Sequence, residues 1–187
     1  MTRAQKDHRA RDKSLESEIK FKLVGPADHA RLRARLRDLG AAHEATYDEV
    51  NVRFRNPGKG ASLRLRVLDG GPTGILTTKG PARFEGPIKI REETEVTVND
   101  AQAARDLLES IGHVVTVIYE KHRSSYRFGE VTVTLDVLDF GFFSEVEGPP
   151  DQLLATAGQL GLDKRHALRS SYSALARRHR RRPEVVP

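Results

Sequence analysis

The sequence predicts an α+β fold: an eight-stranded antiparallel β-barrel enclosing a tunnel, with helices packed outside. Three observations lead there. About eight segments alternate apolar and polar residues with a period of two, the mark of strands with two unlike faces. Most are joined by short Gly/Pro-rich turns, which makes neighbours antiparallel, and eight strands suit closure into a barrel. Helical periodicity is confined to a few segments whose order does not fit repeated strand–helix–strand units.

Residues 15–24 alternate strictly, with Leu15, Ser17, Ile19, Phe21 and Leu23 on one face and Glu16, Glu18, Lys20 and Lys22 on the other. Pro26 opens a helix with Leu32, Leu36 and Leu39 on its buried stripe, and Gly40 ends it. Strands follow over 46–55, 62–69, 73–79 and 87–98, divided by clusters such as Asn56-Pro57-Gly58 and Gly70-Gly71-Pro72. Asn99 is placed to cap a helix over 100–111, with Leu107, Leu108 and Ile111 apolar. Long strands run over 114–128 and 130–138, turning near Gly129, and a short one spans 142–147. Pro149-Pro150 and Asp151 start a helix to Leu160, and a last helix covers 169–178.

The 187-residue chain fits one domain, 15–176, between a polar tail at 1–14 and a basic tail at 177–187, both expected to be disordered. The absence of Cys excludes a disulfide framework and a thiolate zinc site. No apolar run approaches the roughly 20 residues of a membrane span. The first residues lack the apolar core of a secretory signal, so the cytoplasm is the expected location. The net charge of +6 points to an anionic partner, but much of the excess lies in the run at 177–182. No aromatic residue interleaves that run, so nucleic acid is not the expected partner. The His residues are scattered, no phosphate-loop or dinucleotide fingerprint occurs, and Ser124-Ser125 lacks a nucleophile-elbow context. Gly58-Lys59-Gly60 reads as a turn, and Phe140, Phe142 and Phe143 as barrel packing.

The chemistry lies on the polar faces of the strands. Period-two reading groups Glu16, Glu18 and Lys20; Arg64 and Arg66; Lys89, Arg91, Glu93 and Glu95; Lys121 and Arg123; Thr132, Thr134 and Asp136; and Glu145 and Glu147, and it leaves Lys79 at a strand end. One reading is that each charged face meets water, as in one-sided antiparallel sheets. The other is that the sheet closes with its apolar faces outward under the helices, so that the charges line a tunnel. Arg prevails among the paired bases, which suits forked recognition of phosphate oxygens. Carboxylates suit Mg²⁺, which keeps several waters and takes polyphosphate oxygens to complete its shell.

These residues resemble a known family. Glu16-Ser17-Glu18-Ile19-Lys20 is similar to the ExExK signature of the CYTH domain, or triphosphate tunnel metalloenzymes, which include class IV adenylate cyclases, thiamine triphosphatases and inorganic triphosphatases. Leu63-Arg64-Leu65-Arg66 resembles the family's LRxR strand, Thr77-Thr78-Lys79 its lysine-ended strand, and Arg91-Glu92-Glu93-Thr94-Glu95 its RxExE strand. Lys121-His122-Arg123 resembles KxR, Leu135-Asp136 and Glu145-Val146-Glu147 the acidic strands, and Ser171-Tyr172 the C-terminal SY motif. The matches come in family order over residues 15–176.

The resemblance implies that Lys20, Arg64, Arg66, Lys79, Arg91, Lys121 and Arg123 bind triphosphate oxygens. It implies that Glu16, Glu18, Asp136, Glu145 and Glu147 hold Mg²⁺ or Mn²⁺, and that Glu16, Glu18 and Lys20 form the catalytic signature. Glu93 and Glu95 support the metal or neutralise neighbouring bases. The expected activity is metal-dependent hydrolysis of inorganic triphosphate or a small organic triphosphate. The alternatives are a class IV adenylate cyclase making cyclic AMP and pyrophosphate, or a polyphosphate-binding module without turnover. The expected partner is a triphosphate-bearing small molecule (tripolyphosphate, thiamine triphosphate or ATP), with a homodimer also considered and no membrane. One departure stands out: Arg53 and Arg55 flank Phe54 where relatives often carry an apolar residue and an acid. The expectation is that both face solvent at the barrel mouth. No Tyr occupies the strand position where some hydrolytic relatives orient water, although Tyr47 lies just upstream.

Overall fold

The computed structural model describes residues 14–55 and 62–180. The expected tails at 1–13 and 181–187 and the turns at 56–60 lie outside these residues. The order is β1 (Ser14–Leu23), α1 (Pro26–Asp38), β2 (Ala42–Arg55), β3 (Ser62–Leu68), β4 (Gly74–Lys79), β5 (Arg83–Glu85), β6 (Ile88–Val98) and α2 (Ala101–Ser110). There follow β7 (Val114–Phe128), β8 (Val131–Leu138), β9 (Gly141–Glu147), α3 (Pro150–Gln159), β10 (Ala167–Leu168) and α4 (Tyr172–Arg180). The eight expected strands are all present. The two extra ones, β5 and β10, are too short to show a period in sequence.

Every strand pairing is antiparallel. The sheet runs β1-β9-β8-β7-β2-β3-β4-β6, and β6 returns to pair with β1, closing an eight-stranded barrel. β5 and β10 lie on its rims, paired with β6 and β1. The fold is the α+β barrel expected from the sequence.

The apolar faces point out. Ile19, Phe21, Val133, Leu135 and Val146 are buried against Leu32 and Leu36 of α1 and Leu153 and Ala157 of α3. A second layer joins Val52, Phe54, Leu63 and Leu65 to Ala101 and Leu108 of α2. Gly74 lets α2 approach, because a Cβ there would stand 3.0 Å from Ala101 Cβ of α2 and 2.7 Å from Leu65 Cδ1 of β3. A third cluster differs in kind: Val117, Tyr119, Leu138 and Phe143 share a face with the tunnel's charges and pack on Tyr172 and Ala176 of α4. That helix therefore stops one end of the barrel.

Some local expectations need correction. The α2 cap is Asp100, whose side chain accepts from the Ala103 N–H at 2.9 Å; a carboxylate at the cap also suits the positive end of the helix dipole. Only Leu108 of the expected α2 stripe packs inward; Leu107 and Ile111 are exposed. The last helix begins at Tyr172 and runs to Arg180, so Arg177–Arg180 are helical and not tail. β2 starts four residues earlier than its alternation suggested, and carries a register shift between His43 and Ala45 that breaks the period.

Candidate functional site

Closure decides between the two readings of the charged faces. Glu18, Lys20, Arg64, Lys79, Lys89, Glu93, Lys121, Arg123 and Glu145 are buried, and Asp136 is fully so. A solvated face would leave them exposed; they are the inner wall of the barrel. Charges taken out of water survive only when paired, and cross-strand register supplies the pairs.

β1 carries the first set. Lys20 stands across from Glu145 on β9, with Nζ–Oε1 at 2.6 Å, and its ammonium lies 4.0 Å from the centre of the Tyr172 ring. Glu18 accepts from Lys89 Nζ at 2.7 Å. Glu16 accepts from Lys79 Nζ at 2.9 Å, and Lys79 also pairs with Glu93. Burial raises Glu16, but its hydrogen bond with Glu93 and the charge of Lys79 outweigh that and hold it at about 2. Burial and the bond to Glu16 push Glu93 up to about 8, so of this acid pair Glu93 keeps the proton.

The opposite wall is basic. Arg64 donates to Thr77 Oγ1 at 3.1 Å and more weakly to Glu95 at 3.4 Å. Lys121 pairs with Glu49 at 3.0 Å, which also lies 3.6 Å from Arg66. Burial and the adjacent Arg123 push Lys121 down to about 8. Burial raises Glu49, but Lys121, Arg66 and Arg123 together bring it to about 2. The bases are not all satisfied. Arg64, Arg66 and Arg91 each keep a buried Nε–H without a hydrogen-bond partner among the described residues, a costly state that an incoming anion relieves.

These walls enclose a cavity of about 720 Å³. Of the residues expected at the site, Glu16, Glu18, Lys20, Arg64, Arg66, Lys79, Arg91, Glu93, Glu95, Lys121, Arg123, Glu145 and Glu147 line it. Asp136 does not. Both its oxygens take hydrogen bonds from Arg123 at 2.6 Å, and Tyr172 Oη donates to Oδ2 at 2.6 Å. It sits behind the wall as the group that fixes a base and the stopper helix.

Sequence reading missed several residues. Lys89 was grouped with the inner charges but not selected. Glu49 shares the polar face of β2 with Asn51, Arg53 and Arg55, alternating with Val50, Val52 and Phe54, and it pairs with three bases, Lys121, Arg66 and Arg123. Arg53 was expected in solvent, yet it lines the cavity half-buried; Arg55 is exposed at the rim. Arg177, assigned to the tail, also reaches the cavity. Tyr47 does not line it, whereas Tyr119 does.

Acids crowd one part of the wall. Glu18 and Glu147 are register partners on β1 and β9, and Glu16 and Glu145 flank them. Among the described residues Glu147 has no ion pair. Burial, Glu16, Glu145 and Glu18 push it up to about 7. No three described His, Asp or Glu side chains are gathered into a ready metal cage. The donor set still fits a hard cation that brings water and ligand oxygens of its own, because Glu147, crowded by three other acids and without an ion pair among the described residues, is what such an ion relieves.

A model of the CYTH domain matches residues 14–178. The chain belongs to the CYTH family. Solved structures share the CYTH fold of this chain at low identity. The PH1012 protein of Pyrococcus horikoshii has a TM-score of 0.75 at 23% identity, over 86% of this chain and 98% of its own. A Vibrio parahaemolyticus protein described as a candidate adenylate cyclase gives 0.73 at 23%, over 87% and 98%. A Hippeastrum protein described as a candidate adenylyl cyclase with a dominant triphosphatase activity gives 0.67 at 21%, over 88% and 96%. No curated protein matches the sequence. No helix among the described residues is long and apolar enough to cross a membrane.

Proposed function

We propose that this CYTH domain is a divalent-metal-dependent phosphohydrolase acting on inorganic triphosphate or a small organic triphosphate. One observation carries the reading: unsatisfied buried guanidinium donors of Arg64, Arg66 and Arg91 share a cavity with Glu147, an unpaired carboxylate in an acid cluster. Buried donors that face carboxylates only beyond hydrogen-bond reach, as those of Arg66 and Arg91 do at 3.5–3.7 Å, leave room for an anion, and an acid without an ion pair asks for a cation. A metal–polyphosphate complex answers both. A plain anion binder gains nothing from acids on the same wall.

Lys20, Lys79, Lys121 and Arg123 would hold phosphoryl oxygens, with Arg64, Arg66 and Arg91 supplying the free donors. Each is oriented by a carboxylate neighbour, so little reorganisation is needed when the ligand arrives. Mg²⁺ or Mn²⁺ would be held by Glu16, Glu18, Glu145 and Glu147, directly or through water. When bound, the metal supplies charge neutralisation on the phosphoryl oxygens. Asp136 fixes the Arg123 fork and the Tyr172 hydroxyl, and α4 excludes water from that end of the tunnel. Water attacking in line at the terminal phosphorus releases phosphate; a ribose hydroxyl attacking the innermost one would give cyclic nucleotide and pyrophosphate.

A product assay over tripolyphosphate, thiamine triphosphate and ATP, with Mg²⁺, Mn²⁺ or EDTA, separates the outcomes. Phosphate release with metal and none in EDTA is expected. Full turnover in EDTA overturns the metal role. Cyclic AMP from ATP moves the protein to the cyclases, and binding without turnover makes it a sensing module.

A further inference from the structure

We propose that the cavity holds a second anion subsite, built by Arg53 and Arg177 beside Arg64, that takes a fourth phosphate of an unsubstituted linear polyphosphate. This rests on the triphosphate reading above. Arg53 on β2 is the register partner of Arg64 on β3, so two guanidinium-bearing side chains stand side by side on the inner wall. Arg177 lines the same cavity from α4, at its exposed rim. Among the described residues neither Arg53 nor Arg177 has an ion pair with a carboxylate. Like charges gathered without a counter-charge are destabilising unless an anion joins them. The strain is visible in Arg53: burial and the charges of Arg64, Arg91 and Arg177 bring it down to about 10, with Tyr119 acting the other way.

The position fits an extension of the chain and not a second copy of the first site. β2 lies diametrically across the closed ring from β1, with three strands between them on either side. The acid cluster on β1 and β9 therefore faces the arginine cluster across the tunnel. A linear polyanion spanning that gap would leave its metal end at the acids and present further phosphates to Arg53 and Arg177.

The lining argues against a nucleoside at this end. Ser171, Ser173 and Thr116 border the cavity with these arginines. The aromatic residues that line it, Phe54, Tyr119 and Tyr172, are all buried in packing, Phe54 in the layer under α2 and the two tyrosines in the cluster at α4, while Phe140, Phe142 and Phe143 do not line it. A bare phosphate matches such a surface; a purine does not.

Titration calorimetry with tripolyphosphate and tetrapolyphosphate, with and without Mg²⁺, tests the subsite. The native protein is expected to bind the longer chain about tenfold more tightly, the gain of one charge-assisted contact. In Arg53→Gln and in Arg177→Gln that ratio should fall to near one, and in Arg105→Gln, on α2 and not lining the cavity, it should keep its native value. Arg177→Gln lies on an exposed helix face and serves if Arg53→Gln does not fold. Equal affinity for the two chain lengths, or a ratio untouched by both variants, overturns the subsite alone. Failure of both polyphosphates to bind overturns the triphosphate reading beneath it.

Discussion

Among the described residues Glu147 sits beside Glu16, Glu18 and Glu145 without an ion pair, and burial first and that crowding second push its pKa up to about 7. Replacing it by Gln removes a repelling charge without removing bulk. The expected result of Glu147→Gln is an unchanged or raised melting temperature together with a loss of metal-dependent turnover of more than about a hundredfold, since even outer partners of metal ligands cost 10–100-fold. Parallel loss of fold and activity in thermal and kinetic assays would show a structural role instead. Lys121 offers a test by pH. Folding lowers its pKa to about 8, so in the free protein its charge is lost as pH rises through that value. Tripolyphosphate needs the charged form; its affinity, measured without metal, should weaken from about pH 7 to pH 9. Lys121→Arg stays charged throughout and should flatten that decline. An identical slope in the two proteins would assign it to another group.

At the scale of elements, α4 is held to the barrel by the packing of Tyr172 and Ala176 and by a buried polar junction in which Asp136 accepts from Arg123 and from Tyr172. Tyr172→Phe leaves the carboxylate short of one donor and should cost about 1–3 kcal/mol in denaturant unfolding. Asp136→Asn removes one of the counter-charges of the buried Arg123 guanidinium, Glu145 remaining, and should cost up to about 3–5 kcal/mol. If Asp136→Asn folds with native stability, the junction is not what seats the helix. The sequence showed this region in pieces. The SY pair and Asp136 were both singled out, but Asp136 was assigned to metal, because alternation says which face a carboxylate occupies and not what meets it there. Helix ends were similarly blurred: Asn99 and Asp100 are both good caps, and only backbone geometry chooses Asp100.

For the whole molecule, alternation made the inner wall legible strand by strand. What it could not supply was the register around the ring, which sets Arg53 against Arg64 and Glu18 against both Lys89 and Glu147. Lys89, Glu49, Arg53 and Arg177 became site residues only on closure. The closed barrel also concentrates bases: eleven Lys and Arg side chains line the cavity against six Glu. A polyanion should therefore stabilise the fold strongly. With Mg²⁺ present, tripolyphosphate at about 100 times its Kd should add roughly 2.7 kcal/mol, or about 5–10 °C in Tm for a chain of this size. No shift in differential scanning fluorimetry would mean that the cavity does not take the ligand. Closure has one more consequence, in the order of synthesis. β1 is the first strand of the barrel made, and its neighbours, β6 and β9, come much later; Glu18 must wait for Glu147. At translation rates on the order of 5–20 residues per second, the opening stave of the barrel stands unpaired for roughly ten seconds. Such distant pairing places folding at the slow, high-contact-order end. During that wait Glu16, Glu18, Lys20 and Lys22 act as gatekeepers, their charges discouraging other nascent strands from adding to the open edge.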